Sequence, residues 1–182
     1  MPPHYVNTIE EEIYYEYAKL ISRSAFDGKL MRGFITSRFK ALQTGRATMS
    51  GTIREWQREY DLPKQCVFCG SQGPLETDHL IPRSRGGNHS AGNVVWACRS
   101  CNASRGDKAI FAWLGLEKKD SLHRIVAGKY LKQLFEIHAA RGTLETSKDS
   151  ITVLCHDCEN QPVCVRWNTV AKLTCFCLES VF

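Results

Sequence analysis

The chain has 182 residues and a mass of 20.6 kDa, long enough for one compact domain or two small units but too short for most multi-domain enzymes. Its 43% hydrophobic and 24% charged residues make an ordinary globular balance and exclude a disordered chain. Twenty-four Lys and Arg against nineteen Asp and Glu leave a formal charge of +5, too little to bind nucleic acid by bulk charge, so any such contact needs clustered arginines.

The first predicted element is a helix. Ile9, Ile13, Tyr17, Leu20 and Ile21 recur at helical spacing, Glu10 to Glu12 suit the positive end of the helix dipole, and Thr8 with Glu11 reads as a capping box. After Asp27-Gly28, the residues Leu30, Phe34, Ile35, Phe39 and Leu42 predict a second helix ending near Gly45, and 52–60 a third, stopped by Pro63. Their apolar stripes read as core. Arg32, Arg38, Lys40, Arg46, Arg54 and Arg58 read as a solvated face, with phosphate contact as the alternative. From Cys66 to about Leu116 the texture changes to knuckles, short strands and turns. A further helix is predicted over 121–140, closed near Gly142, and alternating β-branched residues from Ile151 predict a small stranded unit.

Nine cysteines are the anomaly, and six of them form C-x-x-C pairs at Cys66/Cys69, Cys98/Cys101 and Cys155/Cys158. Met1-Pro2-Pro3-His4 lacks a signal-peptide pattern, and no apolar run approaches the roughly 20 residues of a membrane span. The expected compartment is therefore the cytoplasm, with no membrane partner. Reduced C-x-x-C pairs there read as zinc knuckles rather than disulfides. No thioredoxin-like βαβ context supports a redox motif.

The first two pairs flank a predicted hairpin, with strands over 75–80 and 93–97, a turning loop at Gly86-Gly87, and a helix opened by Asn102. A zinc ion on Cys66, Cys69, Cys98 and Cys101 would pin both ends of a unit too small to hold its shape alone. Within it lie Glu76-Thr77-Asp78-His79, Pro82-Arg83-Ser84-Arg85-Gly86-Gly87, Asn93, and Cys98-Arg99-Ser100-Cys101-Asn102 running on to Arg105-Gly106-Asp107-Lys108. In a simple strand, Asp78 and His79 point to opposite faces.

This stretch, over roughly 64–110, resembles the HNH endonuclease superfamily, whose core is the ββα-metal fold. The resemblance implies an HNH ββα-metal core with zinc knuckles (64–116), and with the patterns read on either side the expected architecture is α+β: N-terminal helices (1–63), that core, a helical connection (117–142) and a small C-terminal zinc-binding β unit (143–182). It implies His79 as general base, since an imidazole accepts a proton near neutrality. It implies Asp78 and Asn102 as ligands of a catalytic Mg²⁺ or Mn²⁺, a hard, oxygen-rich site with open positions. Asn93 would orient the base across the loop; a plain turn residue is the alternative. Arg83, Arg85, Arg99, Arg105 and Lys108 would contact DNA. The pattern departs from the family in having Asn102 at the third position, and in reducing the following basic run to Arg105. His89 reads as a loop residue near phosphate at best, and His4, His123 and His138 as surface or core.

In the tail, Cys155, Cys158, Cys175 and Cys177 predict a second structural zinc, so two per chain, with Cys164 and His156 as competing ligands. Residues 143–182 carry more acidic than basic side chains, which favours a structural or dimer-forming role. Base contact by Arg166 and Trp167 is the second reading there. The expected activity is a metal-dependent, site-specific endonuclease of the restriction type acting on double-stranded DNA as a homodimer and leaving 5′-phosphate and 3′-hydroxyl ends. Alternatives are a homing or phage-type nickase, and a zinc-stabilised binding module with a vestigial nuclease core.

Overall fold

The computed structural model describes residues 2–49, 63–155, 164 and 173–182. The helix predicted over 52–60, with Arg54 and Arg58, lies outside the described residues, as do His156, Cys158, Arg166 and Trp167. In chain order the described elements are α1 (Ile9–Ala25), α2 (Arg32–Gln43), β1 (Leu75–His79), β2 (Val94–Cys98), α3 (Arg99–Arg105), α4 (Ile110–Leu114), α5 (Arg124–Ala140), α6 (Thr152–Cys155) and α7 (Cys175–Leu178). The chain divides into two compact units, one of Met1–Met49 with Leu134–Phe182 and one of Ser50–Gln133.

In the first unit, the Glu11 amide donates to Thr8 Oγ1 at 3.2 Å and the Glu11 carboxylate accepts from the Thr8 amide at 3.3 Å, closing the capping box of α1. Other amides at this end donate to a segment far along the chain, Ile9 to the Thr146 carbonyl (3.1 Å) and Glu10 to that of Leu144 (3.0 Å). Thr8 and Ser147 form an antiparallel bridge beside them. The orphan donors of a helix start thus tie the N-terminal segment to residues 144–147. Ile35 and Phe39 of α2 pack with Val6 and Ala18, flanked by Tyr14 and Tyr15. Arg32, Arg38 and Lys40 are exposed on α2, with the Arg38 guanidinium 5.3 Å from the Phe34 ring.

Among the described residues of the tail, Thr152–Cys155 and Cys175–Leu178 form the short helices α6 and α7, while most of the stranded unit predicted from Ile151 lies outside the described residues. Cys175, Phe176, Cys177 and Leu178 are all buried, so no exposed face existed for an alternating pattern to report. Thr174 caps α7, its amide donating to Cys177 Sγ at 3.4 Å. α7 packs against α1. His138 of α5 is fully buried and ties this region together, its Nε2 donating to the Leu178 carbonyl (3.0 Å) and its Nδ1 meeting Thr143 Oγ1 (2.8 Å).

The second unit is built on the antiparallel hairpin β1–β2, registered Leu75↔Cys98, Thr77↔Trp96, Asp78↔Val95 and His79↔Val94. Alternation along the strands sorts the side chains. Glu76 and Asp78 share a face with Val95 and Ala97, and Asp78, Val95 and Ala97 are buried there. Thr77 and His79 share the other face with Trp96 and Val94. α3 packs on both strands. It begins at Arg99, three residues before the predicted start, because the extended Cys98 serves as its N-cap and Cys101 already lies in the first turn. Behind it, Phe111 of α4 meets Tyr130 of α5 edge-on at 5.3 Å, and the Lys129 ammonium donates to the Val94 carbonyl at 2.9 Å.

Candidate active site

The knuckles converge first. The turn after Cys66 closes through Gly70 N–H to the Cys66 carbonyl and Cys66 N–H to that of Ser71, both 2.8 Å, with Gly70 in the left-handed region. The Val67 amide donates to the Trp96 carbonyl, binding this turn to β2. The sulfurs of Cys66, Cys69, Cys98 and Cys101 consequently lie within 4.8 Å of one another, with Cys69 and Cys98 3.7 Å apart. A tetrahedral zinc with bonds of roughly 2.3 Å separates its sulfurs by about 3.8 Å, so this cluster fits a structural zinc. Burial pushes the Cys66 thiol up, but backbone hydrogen bonds at Cys98, Cys69 and Phe68 outweigh it and hold the group down at about 7. Burial and the neighbouring sulfurs push Cys101 up. Four crowded thiols ionise together only around a cation.

The helix-facing side of the hairpin holds the oxygen donors. Arg105 donates from Nε to Asp78 Oδ2 at 2.9 Å and from Nη2 to Asp78 Oδ1, and it reaches the carbonyls of His79, Leu80 and Lys108. Both side chains are buried, Arg105 at 1% and Asp78 at 3% exposure. Arg105, expected at a DNA phosphate, is instead an internal partner of Asp78, because α3 turns it into the hairpin. Beside this pair, Asn102 Nδ2 donates to Glu76 Oε2 at 3.0 Å. Glu76 was not singled out in the sequence, although its place two residues before Asp78 puts it on the same strand face. Asp78, Asn102 and Glu76 offer hard oxygen donors, and a carboxylate carries about four lone-pair sites, of which Arg105 uses two on Asp78. That donor chemistry fits Mg²⁺ or Mn²⁺.

His79 ends β1 on the opposite face, with Nε2 3.0 Å from His89 Nδ1 and the ring centroids 5.1 Å apart. Burial, then the neighbouring His89 and Arg83, hold His79 below the ordinary histidine value against the pull of Asp78. Asn93 is fully buried, and its side chain makes its hydrogen bonds to Ile81 and Asn88. Its Oδ1 accepts from the Ile81 amide (2.7 Å), and its Nδ2 donates to the carbonyls of Ile81 (3.0 Å) and Asn88 (2.7 Å). It clamps the two ends of the loop between the strands. Gly86 supplies a left-handed turn there (φ +85°). Gly87 allows close approach, since a Cβ would overlap the Ile81 carbonyl oxygen and stand 2.9 Å from Asn93 Nδ2.

Arg83, Arg99 and Lys108 are exposed, whereas the half-buried Arg85 donates through Nε to the Asp107 carbonyl at 2.7 Å. Trp96 is 38% exposed on the His79 face, with the Lys64 ammonium 5.7 Å from its ring. In the tail, Cys175 groups with Glu12 and Glu16, their ligand atoms all within 4.8 Å, while Cys177 meets Thr174 and Cys155 ends α6 half-buried. Since Cys158 lies outside the described residues, no four-thiol cluster is assembled in the tail among the described residues.

The HNH endonuclease family model matches residues 66–108, spanning both knuckles, the hairpin and α3. The CRISPR-associated endonuclease Cas9 of Corynebacterium diphtheriae is 31% identical over 70 residues, covering 33% of this chain. The match spans only 6% of that relative's length. No solved structure matches the chain. Among the described residues no helix is long and apolar enough to cross a membrane. With the two-stranded sheet, the following helix and the four-cysteine cluster in sequence order, residues 66–108 match an HNH endonuclease domain in sequence and in ββα arrangement.

Proposed function

We propose that the chain is a metal-dependent, site-specific endonuclease that cuts double-stranded DNA and leaves 5′-phosphate and 3′-hydroxyl ends. The observation that carries this reading is the match over 66–108, within which His79 directly follows Asp78 at the end of β1 and Asn102 is bonded to Glu76 of the same strand. His79 acts as the base, taking the proton of the attacking water. Asp78 and Asn102 would hold a Mg²⁺ or Mn²⁺ ion, and Glu76 keeps the Asn102 carboxamide turned so that its oxygen is available. When bound, such an ion offsets the charge that develops on the phosphate and on the leaving 3′-oxygen.

Arg83 and Arg99 would contact phosphates, and the exposed Trp96 with Lys64 offers a stacking surface on the His79 face. One centre cuts one strand, so paired cuts require two copies, and a homodimer is the expected form. Two zinc ions per chain are expected, one on Cys66, Cys69, Cys98 and Cys101 and one in the tail on Cys155, Cys158, Cys175 and Cys177. Incubating the protein with supercoiled plasmid and Mg²⁺, then sequencing the ends, tests the reading. Discrete linear products with 5′-phosphates support it. An accumulating open circle means a nickase, and binding without cleavage under Mg²⁺, Mn²⁺ or other divalent cations means a binding module.

A further inference from the structure

The formal charge of the chain is concentrated in one stretch. Residues 23–46 carry six basic side chains, Arg23, Lys29, Arg32, Arg38, Lys40 and Arg46, against the single acid Asp27. This stretch alone accounts for the whole +5, and the rest of the chain is balanced at eighteen of each sign. It comprises the end of α1, the following turn and α2, all within the first unit. Lys29, Arg32, Arg38, Lys40 and Arg46 are exposed, and the first four of these make no ion pair among the described residues. Ile35, Phe39 and Leu42 bury one side of α2, which puts Gly33, Ser37 and Lys40 opposite, with Arg32 and Arg38 at the edges. α1 opens with three glutamates and a capping box, whereas α2 opens with Arg32, no acid and no side-chain cap. The dipole of α2 therefore adds to the positive field.

Between these cations the turn presents apolar side chains, with Phe26 37% exposed and Leu30 and Met31 46% each. Its backbone is fixed. Asp27 and Gly28 take left-handed φ, and the Gly28 amide donates to the Arg23 carbonyl at 2.8 Å. Ser22 Oγ accepts from the Met31 amide (2.9 Å) and donates to the Lys29 carbonyl (3.1 Å). Phe26 meets Phe34 edge-on at 5.0 Å, and the Arg38 guanidinium stands 5.3 Å from the Phe34 ring, which holds a charge beside the apolar tip. Cations around a rigid apolar tip match a partner that has phosphates outside and sugars and base edges between them. Arg32 and Lys40 are eight residues apart, about 12 Å along the helix, which matches the width of about 12 Å of the major groove that phosphates border.

We propose that the α1–α2 turn and the exposed side of α2 form a DNA-docking surface outside the 66–108 match, with Lys29, Arg32, Arg38 and Lys40 on phosphates of a duplex and Leu30 and Met31 against its sugars and base edges. The proposal rests on the reading that the substrate is double-stranded DNA. It supplies the clustered basic residues that a chain of low net charge needs for nucleic acid.

The test measures binding of a fluorescent duplex of mixed sequence by the full chain over a range of salt concentrations. Each lost phosphate contact removes about 0.9 from the slope of log K against log salt, so Arg32→Gln with Lys40→Gln should lower that slope by about two. Lys118→Gln with Arg141→Gln removes two exposed charges elsewhere and should leave the slope as in wild type. Leu30→Ser with Met31→Ser should weaken binding about tenfold at every salt concentration without changing the slope, because apolar contact releases no counterions. All six residues are exposed, so these variants should melt like wild type. An unchanged slope in the Arg32 and Lys40 pair, an equal fall in both charge pairs, or unchanged binding in the Leu30 and Met31 pair would each overturn the inference. Polyglutamate binding as tightly as the duplex would do the same, since the surface would then take acidic chains of any kind. If the wild-type protein binds the duplex but cuts it with no divalent cation, the nuclease reading fails and the slopes still decide the docking surface. If it cuts and the slopes do not move, the docking surface alone fails.

Discussion

Arg105 on α3 and Asp78 on β1 form a buried pair in which guanidinium nitrogens engage both carboxylate oxygens, Nε standing 2.9 Å from Oδ2. The pair locks helix to hairpin and sets the direction in which Asp78 offers its remaining lone pairs. A basic residue that sequence order puts beside phosphate is thereby an internal brace.

Removing one partner of such a pair leaves a buried, uncompensated charge. Arg105→Ala should destabilise the unit by about 3–5 kcal/mol, read as a fall in the urea midpoint at constant m-value. Arg99→Ala and Arg83→Ala should leave stability within about 0.5 kcal/mol and instead weaken DNA binding and reduce its salt dependence. Equal stability losses for all three would show that the Arg105 pair has no special role.

His79→Ala should lose about 10²–10⁴-fold in cleavage rate while binding DNA nearly as well as wild type, because a base acts on the transition state. A binding titration beside initial rates separates the two effects. Cleavage within a few-fold of wild type would remove His79 from the mechanism.

Asp78→Ala and Asn102→Ala should respond to added Mg²⁺ or Mn²⁺, each having lost one of two protein ligands. Asp78→Ala also strands Arg105, so its melting temperature should drop as well. Asn93→Ala should show no rescue by metal. It leaves the Ile81 amide without its acceptor and should cost at least about 1–3 kcal/mol. Metal rescue of Asn93→Ala without rescue of Asn102→Ala would exchange their roles.

Cys69→Ser should remove one equivalent of zinc per chain and unfold the hairpin unit, as chelation should in the wild type. Elemental analysis with circular dichroism measures both. Retained zinc at wild-type stoichiometry would rule out the four-cysteine site.

His138 ties the pH dependence of the first unit to burial. Burial, aided by Arg141 and opposed by the bond to the Leu178 carbonyl, lowers its pKa below the ordinary value. The folded chain therefore takes up this proton later than the unfolded chain. The stabilisation is full above about pH 6.5 and is lost as the pH falls from there towards the folded pKa. His138→Gln should flatten the change in urea midpoint between pH 7.5 and pH 5. Parallel pH curves for the variant and wild type would show that another group governs it.

Much of this was legible in the order of residues. The Thr8–Glu11 cap, the helical stripes of α1 and α2, and the knuckle–hairpin–knuckle order are local patterns, set by periods and spacings of a few residues. The clustering of Cys66, Cys69, Cys98 and Cys101 follows from two tight turns at the ends of one hairpin. The tail was less legible, because wholly buried residues such as Cys175 to Leu178 carry no polar alternation from which to tell helix from strand.

The sequence by itself determined which chemistry is present: an imidazole at 79, oxygen donors at 78 and 102, and sulfurs at either end of the hairpin. Tertiary structure alone decided who meets whom. Asp78 and Arg105 are 27 residues apart, His138 and Leu178 are 40, and no local period relates either pair. His89 read as a bystander because its loop carries no periodicity. It reaches His79 because Asn93, buried between the strands, holds the residues on both sides of it. A strand's alternation states which face a side chain takes, but its partner on that face comes from whichever element the fold packs there.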